Sequence, residues 1–377
     1  MKYFFLITIT TFSILSFSQD IIVNEESNVS YYGRDYFLIE GTAVEDSLKE
    51  SPYDRLPASY KDKVREPVWE LSKASAGITV RFQSNSTSIN LKWTVLNDFD
   101  MPHMAATGIK GIDLYTKYNN KWRYVTTAGA IVGLKTYQNK SIPKDSISEF
   151  ELIKNMTPEF REYKLFLPLY DGVTKLEIGI DPTASIEKAS SNPAKPIVFY
   201  GTSITQGGCA SRPGMAHTNI ISRELDVECI NYGFSGNGRM ETPIVELISE
   251  IDARFYVIEC LQNMDSDQVK QRVRPLVDII RKKHPFTPIV LVENMMYKMA
   301  FLDQTIESEL IQENTVLKNE FDKILKSGDQ NVFYIKDIQD NLMDNEGTVD
   351  GVHLTDLGFL RYADYLLKNF KNYKLIN

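Results

Sequence analysis

Pro196-Ile-Val-Phe-Tyr-Gly201-Thr-Ser203-Ile-Thr-Gln-Gly207-Gly208 is the stretch whose reading decides the fold of this 377-residue chain. A short apolar run rich in β-branched and aromatic residues stops at a glycine, and a serine follows two positions on. That pattern predicts a buried strand delivering Ser203 to its C-terminal end, the edge where open α/β sheets place their active sites. The sequence beyond it alternates in the same way. Strands are predicted at Ile197–Tyr200, Cys229–Tyr232, Phe255–Cys260, Ile289–Glu293 and Val332–Ile335. Helices are predicted between and after them, near Ala216–Leu225, Pro243–Ile251, Asp267–Lys283, Glu307–Leu325 and Thr355–Phe370, the last with Thr355 as its N-cap. Five strands joined by crossover helices imply a parallel sheet covered on both faces, a flavodoxin-like three-layer α/β sandwich.

Before Pro196 the grammar is β. Gly77-Ile-Thr-Val-Arg-Phe-Gln-Ser and Ser88-Ile-Asn-Leu-Lys-Trp-Thr-Val alternate apolar and polar residues, as half-buried strands do. Further strands are expected within Gly111–Thr116, Trp122–Thr126, Arg161–Leu167 and Lys175–Ile180, and many short strands between polar turns suggest a β-sandwich, jelly-roll-like. The expected organisation is a signal peptide over 1–18, a β-sandwich domain over 19–186, a linker over 187–195 and an α/β domain over 196–377. Lys2, the apolar Tyr3–Phe17 and the small residues Ser16 and Ser18 give the first segment its signal-peptide layout, with a cut after Ser18 and a periplasmic or secreted destination. A membrane anchor is the alternative, but the run is shorter than the ~20 residues that spanning requires. A formal net charge of -8 without any basic stripe argues against a nucleic-acid partner.

A serine hydroxyl needs a base, an orienting acid and donors for a developing oxyanion before it does acyl chemistry. The chain has four histidines. His353, in Asp350-Gly-Val-His353-Leu, falls on the loop before the last helix, at the same sheet edge as Ser203. Asp350 is placed to hold its Nδ1 while Nε2 faces the serine. Gly233-Phe-Ser-Gly236-Asn-Gly238 follows the second strand, and its glycines would let a backbone N–H approach a substrate oxygen. Cys260-Leu-Gln-Asn263-Met follows the third and offers a side-chain amide.

With those residues in place, the C-terminal half resembles the SGNH (GDSL-type) hydrolase superfamily, whose blocks supply Ser, Gly, Asn and His in this order. The resemblance implies Ser203 as nucleophile, His353 as base with Asp350 as its partner, and an oxyanion hole made by the N–H groups of Ser203 and Gly236 and the Asn263 amide. It departs from the common pattern at Thr202, where Gly-Asp-Ser has its acid, and at Leu261 and Met264, where Gly-x-Asn-Asp is usual. In the other half, Gly111-Ile-Asp-Leu-Tyr115 is similar to the Gly-x-Asp-Leu-Tyr signature of a β-rich domain that precedes a bacterial SGNH subgroup. The two-domain arrangement is also similar to carbohydrate esterases, which implies an acylated, above all acetylated, polysaccharide or oligosaccharide as substrate. No cofactor is implied. A carbohydrate O-acyltransferase and a glycan-binding protein with an inert SGNH half are the alternatives.

The remaining candidates are weaker. His103 lies on a loop of the β-half and is expected to be structural or exposed unless the halves abut at the site. His217 and His284 sit at helix ends without a catalytic role, and Arg212 and Arg239 are candidate holders of an anionic sugar. Cys209, Cys229 and Cys260 form an odd set that allows one disulfide or none, and no His/Cys spacing suggests a metal site.

Overall fold

The structure, a computed structural model, describes residues 29–97, 100–128, 147–338 and 345–377. The expected signal peptide lies outside these residues. Among them, no helix is long and apolar enough to cross a membrane.

The alternation in the N-terminal half has its basis in two antiparallel sheets. Their strands are β1 (Ser30–Tyr32), β2 (Leu38–Glu40), β3 (Thr79–Ser84), β4 (Ile89–Val95), β5 (Ile112–Tyr118), β6 (Lys121–Ala128), β7 (Ser148–Ile153), β8 (Arg161–Phe166), β9 (Val173–Ile180) and β10 (Ile186–Lys188). One sheet runs β1-β9-β4-β7; the other runs β10-β3-β8-β5-β6, with β2 added beside β3. Successive side chains point to opposite faces of a strand. Val80 and Phe82 of β3 therefore meet Leu91 and Trp93 of β4 in one buried cluster, while Arg81 turns away to pair with Glu40 and Glu162. The three-residue strands β1, β2 and β10 are too short to show a period. β10 also takes Glu187 and Lys188, which the sequence placed in the linker. Two short helices, α1 (Glu66–Ser72) and α2 (Ala106–Lys110), complete this half.

The C-terminal half is the parallel three-layer sandwich the sequence implied. β11 (Ile197–Gly201), β12 (Cys229–Gly233), β13 (Phe255–Glu259), β14 (Ile289–Val292) and β15 (Val332–Ile335) lie in the order β12-β11-β13-β14-β15. The helices are α3 (Ser203–Gln206), α4 (His217–Leu225), α5 (Thr242–Ile248), α6 (Ser266–Lys283), α7 (Gln304–Lys326) and α8 (Asp356–Asn372). Val198 and Tyr200 face one layer with residues of α5, α6 and α7, and Ile197 and Phe199 face the other with residues of α4 and α8. Both layers recruit the β-half: Leu56, Val68 and Trp69 enter the first, and Met104, Ile109, Leu169 and Tyr170 the second.

Polar groups fasten the same interface. Arg55 is 1% exposed. It donates to the carbonyls of Leu71 and Ala74 on its own side and to Gly233 (2.6 Å) and Asn231 (3.3 Å) at the end of β12. Burial lowers its pKa to about 10, still leaving it charged near neutrality. The Gly-x-Asp-Leu-Tyr stretch of β5 works by strand alternation. Ile112 and Leu114 enter the sandwich core. Asp113 accepts from Arg212 Nη1 (2.6 Å) and the Gly214 N–H (2.8 Å), and the Tyr115 hydroxyl accepts from Arg212 (2.7 Å). Arg212, expected as a candidate sugar ligand, is thus committed to the fold. Burial works against its charge, but the Asp113 carboxylate outweighs that and raises its pKa.

Candidate active site

Register brings the predicted loops together. Gly201 is the partner of Gly233 on one side and of Glu259 on the other, so β11, β12 and β13 end in line and their loops leave from one edge. On the first loop, Thr202 is the N-cap of α3, its Oγ1 accepting from the Ile204 N–H at 3.4 Å. Thr and Asp both serve as caps, which accounts for the departure at this position. Ser203 is the first residue of that helix, so its own N–H has no carbonyl one turn back to bond. The hydroxyl and His353 are 2.9 Å apart (Oγ to Nε2), and His353 Nδ1 is 2.7 Å from Asp350 Oδ2. Asp350 Oδ1 accepts from the N–H groups of Val352 (3.0 Å) and His353 (2.8 Å). Burial by itself would raise the Asp350 pKa, but the imidazole and these two N–H groups outweigh it and hold the carboxyl below its usual range. An ionised acid, an imidazole held by it and a hydroxyl in contact with the far nitrogen can move a proton off that hydroxyl.

The two remaining predicted donors share a cavity of about 600 Å3, which Gly236 and Asn263 line with Arg239, Asp265, Glu309 and Glu313. Gly236 has φ +67°, a left-handed conformation that glycine adopts without the Cβ penalty. At Gly238 a Cβ would lie 1.8 Å from the Gly201 carbonyl oxygen, so only glycine lets the second loop cross the end of β11. The Gly238 N–H donates to Asn263 Oδ1 at 3.2 Å, which fixes the amide and leaves its NH2 as the donor end. Leu261 and Met264, which stand where the family pattern differs, are buried in the core beside α6. Arg239 donates to the Gly236 carbonyl at 3.0 Å. Burial raises the Glu313 pKa to about 7, and the cavity is acidic rather than basic.

Sequence reasoning missed what the β-half brings. The Tyr170 hydroxyl lies 3.5 Å from the Ser203 carbonyl oxygen, and Tyr170 lines a second cavity of about 560 Å3 with Asn97, Met101, Ser235 and Asn237. His103, expected to be structural or exposed unless the halves abut at the site, sits edge-on to His353 with ring centroids 5.7 Å apart. Cys209 joins them, and one ligand atom from each of the three residues lies within 4.8 Å of the other two. No sequence spacing points to this group, because residues 103, 209 and 353 meet only in the fold. All three cysteines are buried free thiols. A second polar group lies beneath the serine. Glu259, which is 3% exposed, accepts from Thr205 Oγ1 (2.9 Å) and Tyr362 (2.6 Å) and lies 3.1 Å from His217 Nε2. Thr205 is on the short helix of Ser203, so His217, read as a helix-end residue, belongs to the support of that helix. His284 contacts the Ser249 carbonyl at 3.0 Å, away from the site.

Comparison with known proteins covers both halves. Residues 194–371 match the GDSL-like lipase/acylhydrolase family, and residues 29–186 match the N-terminus of SGNH-hydro-type esterases. A GDSL-like lipase from Bacteroides ovatus is 31% identical, with a TM-score of 0.84 over 93% of this chain and 99% of that one. The salicylyl-acyltransferase of a tetracycline biosynthetic pathway is 16% identical with a TM-score of 0.71, over 93% of this chain and 99% of that one. An acetyl xylan esterase from the rumen bacterium Butyrivibrio proteoclasticus is 11% identical with a TM-score of 0.57, over 91% of this chain and 99% of that one. These last two share the fold. No curated protein matches the chain.

Proposed function

We propose that this chain, which belongs to the GDSL-like lipase/acylhydrolase family, is an exported serine esterase that removes O-acyl groups, above all O-acetyl, from carbohydrate. The observation that carries the reading is the continuous chain Ser203–His353–Asp350, with contacts of 2.9 and 2.7 Å. Ser203 Oγ attacks the ester carbonyl as His353 Nε2 takes its proton, and Asp350 stabilises the imidazolium. The Ser203 and Gly236 N–H groups and the Asn263 amide stabilise the tetrahedral oxyanion. Collapse expels the alcohol, which takes the proton from His353, and water then repeats the sequence on the acyl-enzyme.

The acidic cavity beside Gly236 and Asn263 supports an uncharged, hydroxyl-rich alcohol over a uronic acid, since Asp265, Asp267 and Glu309 face one arginine there. In this reading the first 18 residues are removed on export, and the linker expected over 187–195 comes down to residues 189–195, after β10, which join the two domains. The test is acetate release from acetylated neutral and acidic polysaccharides, with Ser203→Ala as control. Release by the wild type alone, greater from neutral glycans, is expected; equal release by Ser203→Ala would refute the mechanism.

A second reading, acyl transfer to a hydroxyl other than water, is favoured by the likeness of both halves to the salicylyl-acyltransferase. Excess glycan acceptor separates the two readings: an esterase keeps producing free acid, whereas a transferase diverts the acyl group to new ester.

A further inference from the structure

We propose that His103, Cys209 and His353 form a binding site for a borderline divalent cation, zinc foremost, and that filling it switches the esterase off. Two imidazoles and a thiol are donors that zinc prefers, at about 2.0–2.3 Å, with the fourth tetrahedral position left to water. Here one ligand atom from each residue already lies within 4.8 Å of the other two. Donors on one tetrahedral zinc with two nitrogens and one sulfur stand roughly 3.3–3.6 Å apart by those bond lengths, so a closure of about 1 Å between side chains completes the set. The ligands sit on three short loops, at Met101–Met104, Gly207–Ala210 and Asp350–His353. Two of these loops belong to the α/β half and one to the β-half, so the site exists only where the halves meet.

The outer support is in place as well. A metal-bound histidine usually gives its other ring N–H to a carboxylate, which fixes its tautomer. His353 Nδ1 has that partner in Asp350 at 2.7 Å. The nitrogen left for metal is Nε2, the one 2.9 Å from Ser203 Oγ. Coordination forms a Zn–S bond to Cys209 with its proton released to solvent, and Zn–N bonds to His103 and His353. The Ser203–His353 contact breaks, the hydroxyl keeps its proton, and acylation stops until the cation is withdrawn. Inhibition, though not binding, depends on His353 being the base.

The experiment titrates metal-free protein with cobalt(II) and with zinc, alongside ester hydrolysis. Wild type is expected to show thiolate-to-cobalt charge-transfer absorption with the intense d–d bands of a four-coordinate site, and to lose hydrolysis over the same zinc range, reversibly with chelator. Cys209→Ser is expected to lose the charge-transfer band. Both Cys209→Ser and His103→Gln, each compared with its own metal-free rate, should need at least ~10–100-fold more zinc for half inhibition, the loss seen even for outer-shell partners. Absence of the charge-transfer band in the wild type overturns the site without reference to any variant. Inhibition at the same zinc concentration in wild type and both variants overturns it too. A bound cobalt–thiolate site with undiminished hydrolysis would keep the site, remove the switch, and count against His353 as base.

Discussion

Replacing Asp113 with alanine tests whether the two halves are held as one unit. Asp113 is fully buried, and its Oδ2 takes both the Arg212 guanidinium (2.6 Å) and the Gly214 N–H (2.8 Å), while Oδ1 takes the Thr127 hydroxyl (2.6 Å). Alanine leaves the Arg212 side chain, 21% exposed in the intact protein, without its counter-charge, and orphans the Gly214 N–H. Breaking a buried pair by removing one partner costs about 3–5 kcal/mol. At about 2.1 cal/mol/K per residue, unfolding of a chain this long carries ~0.8 kcal/mol/K of entropy, so Tm should fall by roughly 4–6 °C. The same loss loosens the junction between the halves. Trp69, Trp93 and Trp122 all lie in the β-half, Trp69 and Trp122 where it meets the other half, so tryptophan fluorescence follows that half and the junction, while far-UV circular dichroism is weighted to the helices of the other. In guanidinium the two probes should coincide for wild type and separate for Asp113→Ala. A Tm lowered by less than ~1 °C with coincident transitions would refute the assignment of the Gly-x-Asp-Leu-Tyr stretch as the lock.

Other outcomes follow from the same contacts. Asp350→Asn puts an amide where His353 Nδ1 needs an acceptor, so kcat should fall by about 10⁴ with little change in Tm, as the side chain is 37% exposed; steady-state kinetics and calorimetry on one preparation check both. Asn263→Ala removes a proposed oxyanion donor and should lower kcat by ~10²–10³ while KM moves little. Asp181 is held down at about 2: burial opposes its charge, but the hydroxyls of Thr87, Ser86 and Ser88 outweigh it. Because its folded pKa is depressed, its stabilisation is fully present above the unfolded carboxyl value of about 4 and is lost as pH falls towards 2. The stability gap between wild type and Asp181→Asn in urea should therefore narrow across that window, and a gap unchanged by pH would contradict the contacts.

Short-range pattern carried most of the fold. Ile197–Gly201 is an apolar run ending at a glycine, and its strand is buried throughout because helices cover both faces. Ser203, Asp350 and His353 were legible because each follows a readable strand or precedes a readable helix, so topology alone puts them on one edge. Arg212 and His103 were not. What each side chain does depends on a residue about a hundred or more positions away in the other half, and neither residue lies in a periodic stretch. His217 opens a helix as read, but its completely buried ring meets Glu259, 42 residues on, a contact no local pattern carries. Strands β1, β2 and β10 escaped because three residues carry no measurable alternation, although their pairing in the sheets is regular.

The central claim is that Ser203 carries the acyl group. Intact-protein mass spectrometry after incubation with a phosphonate ester, which traps an activated serine as a stable adduct, tests it most directly. The account predicts one adduct per chain, mapped by peptide digestion to Ser203, absent in Ser203→Ala and strongly slowed in His353→Ala. Labelling of a different residue, or equal labelling of wild type and Ser203→Ala, would contradict it.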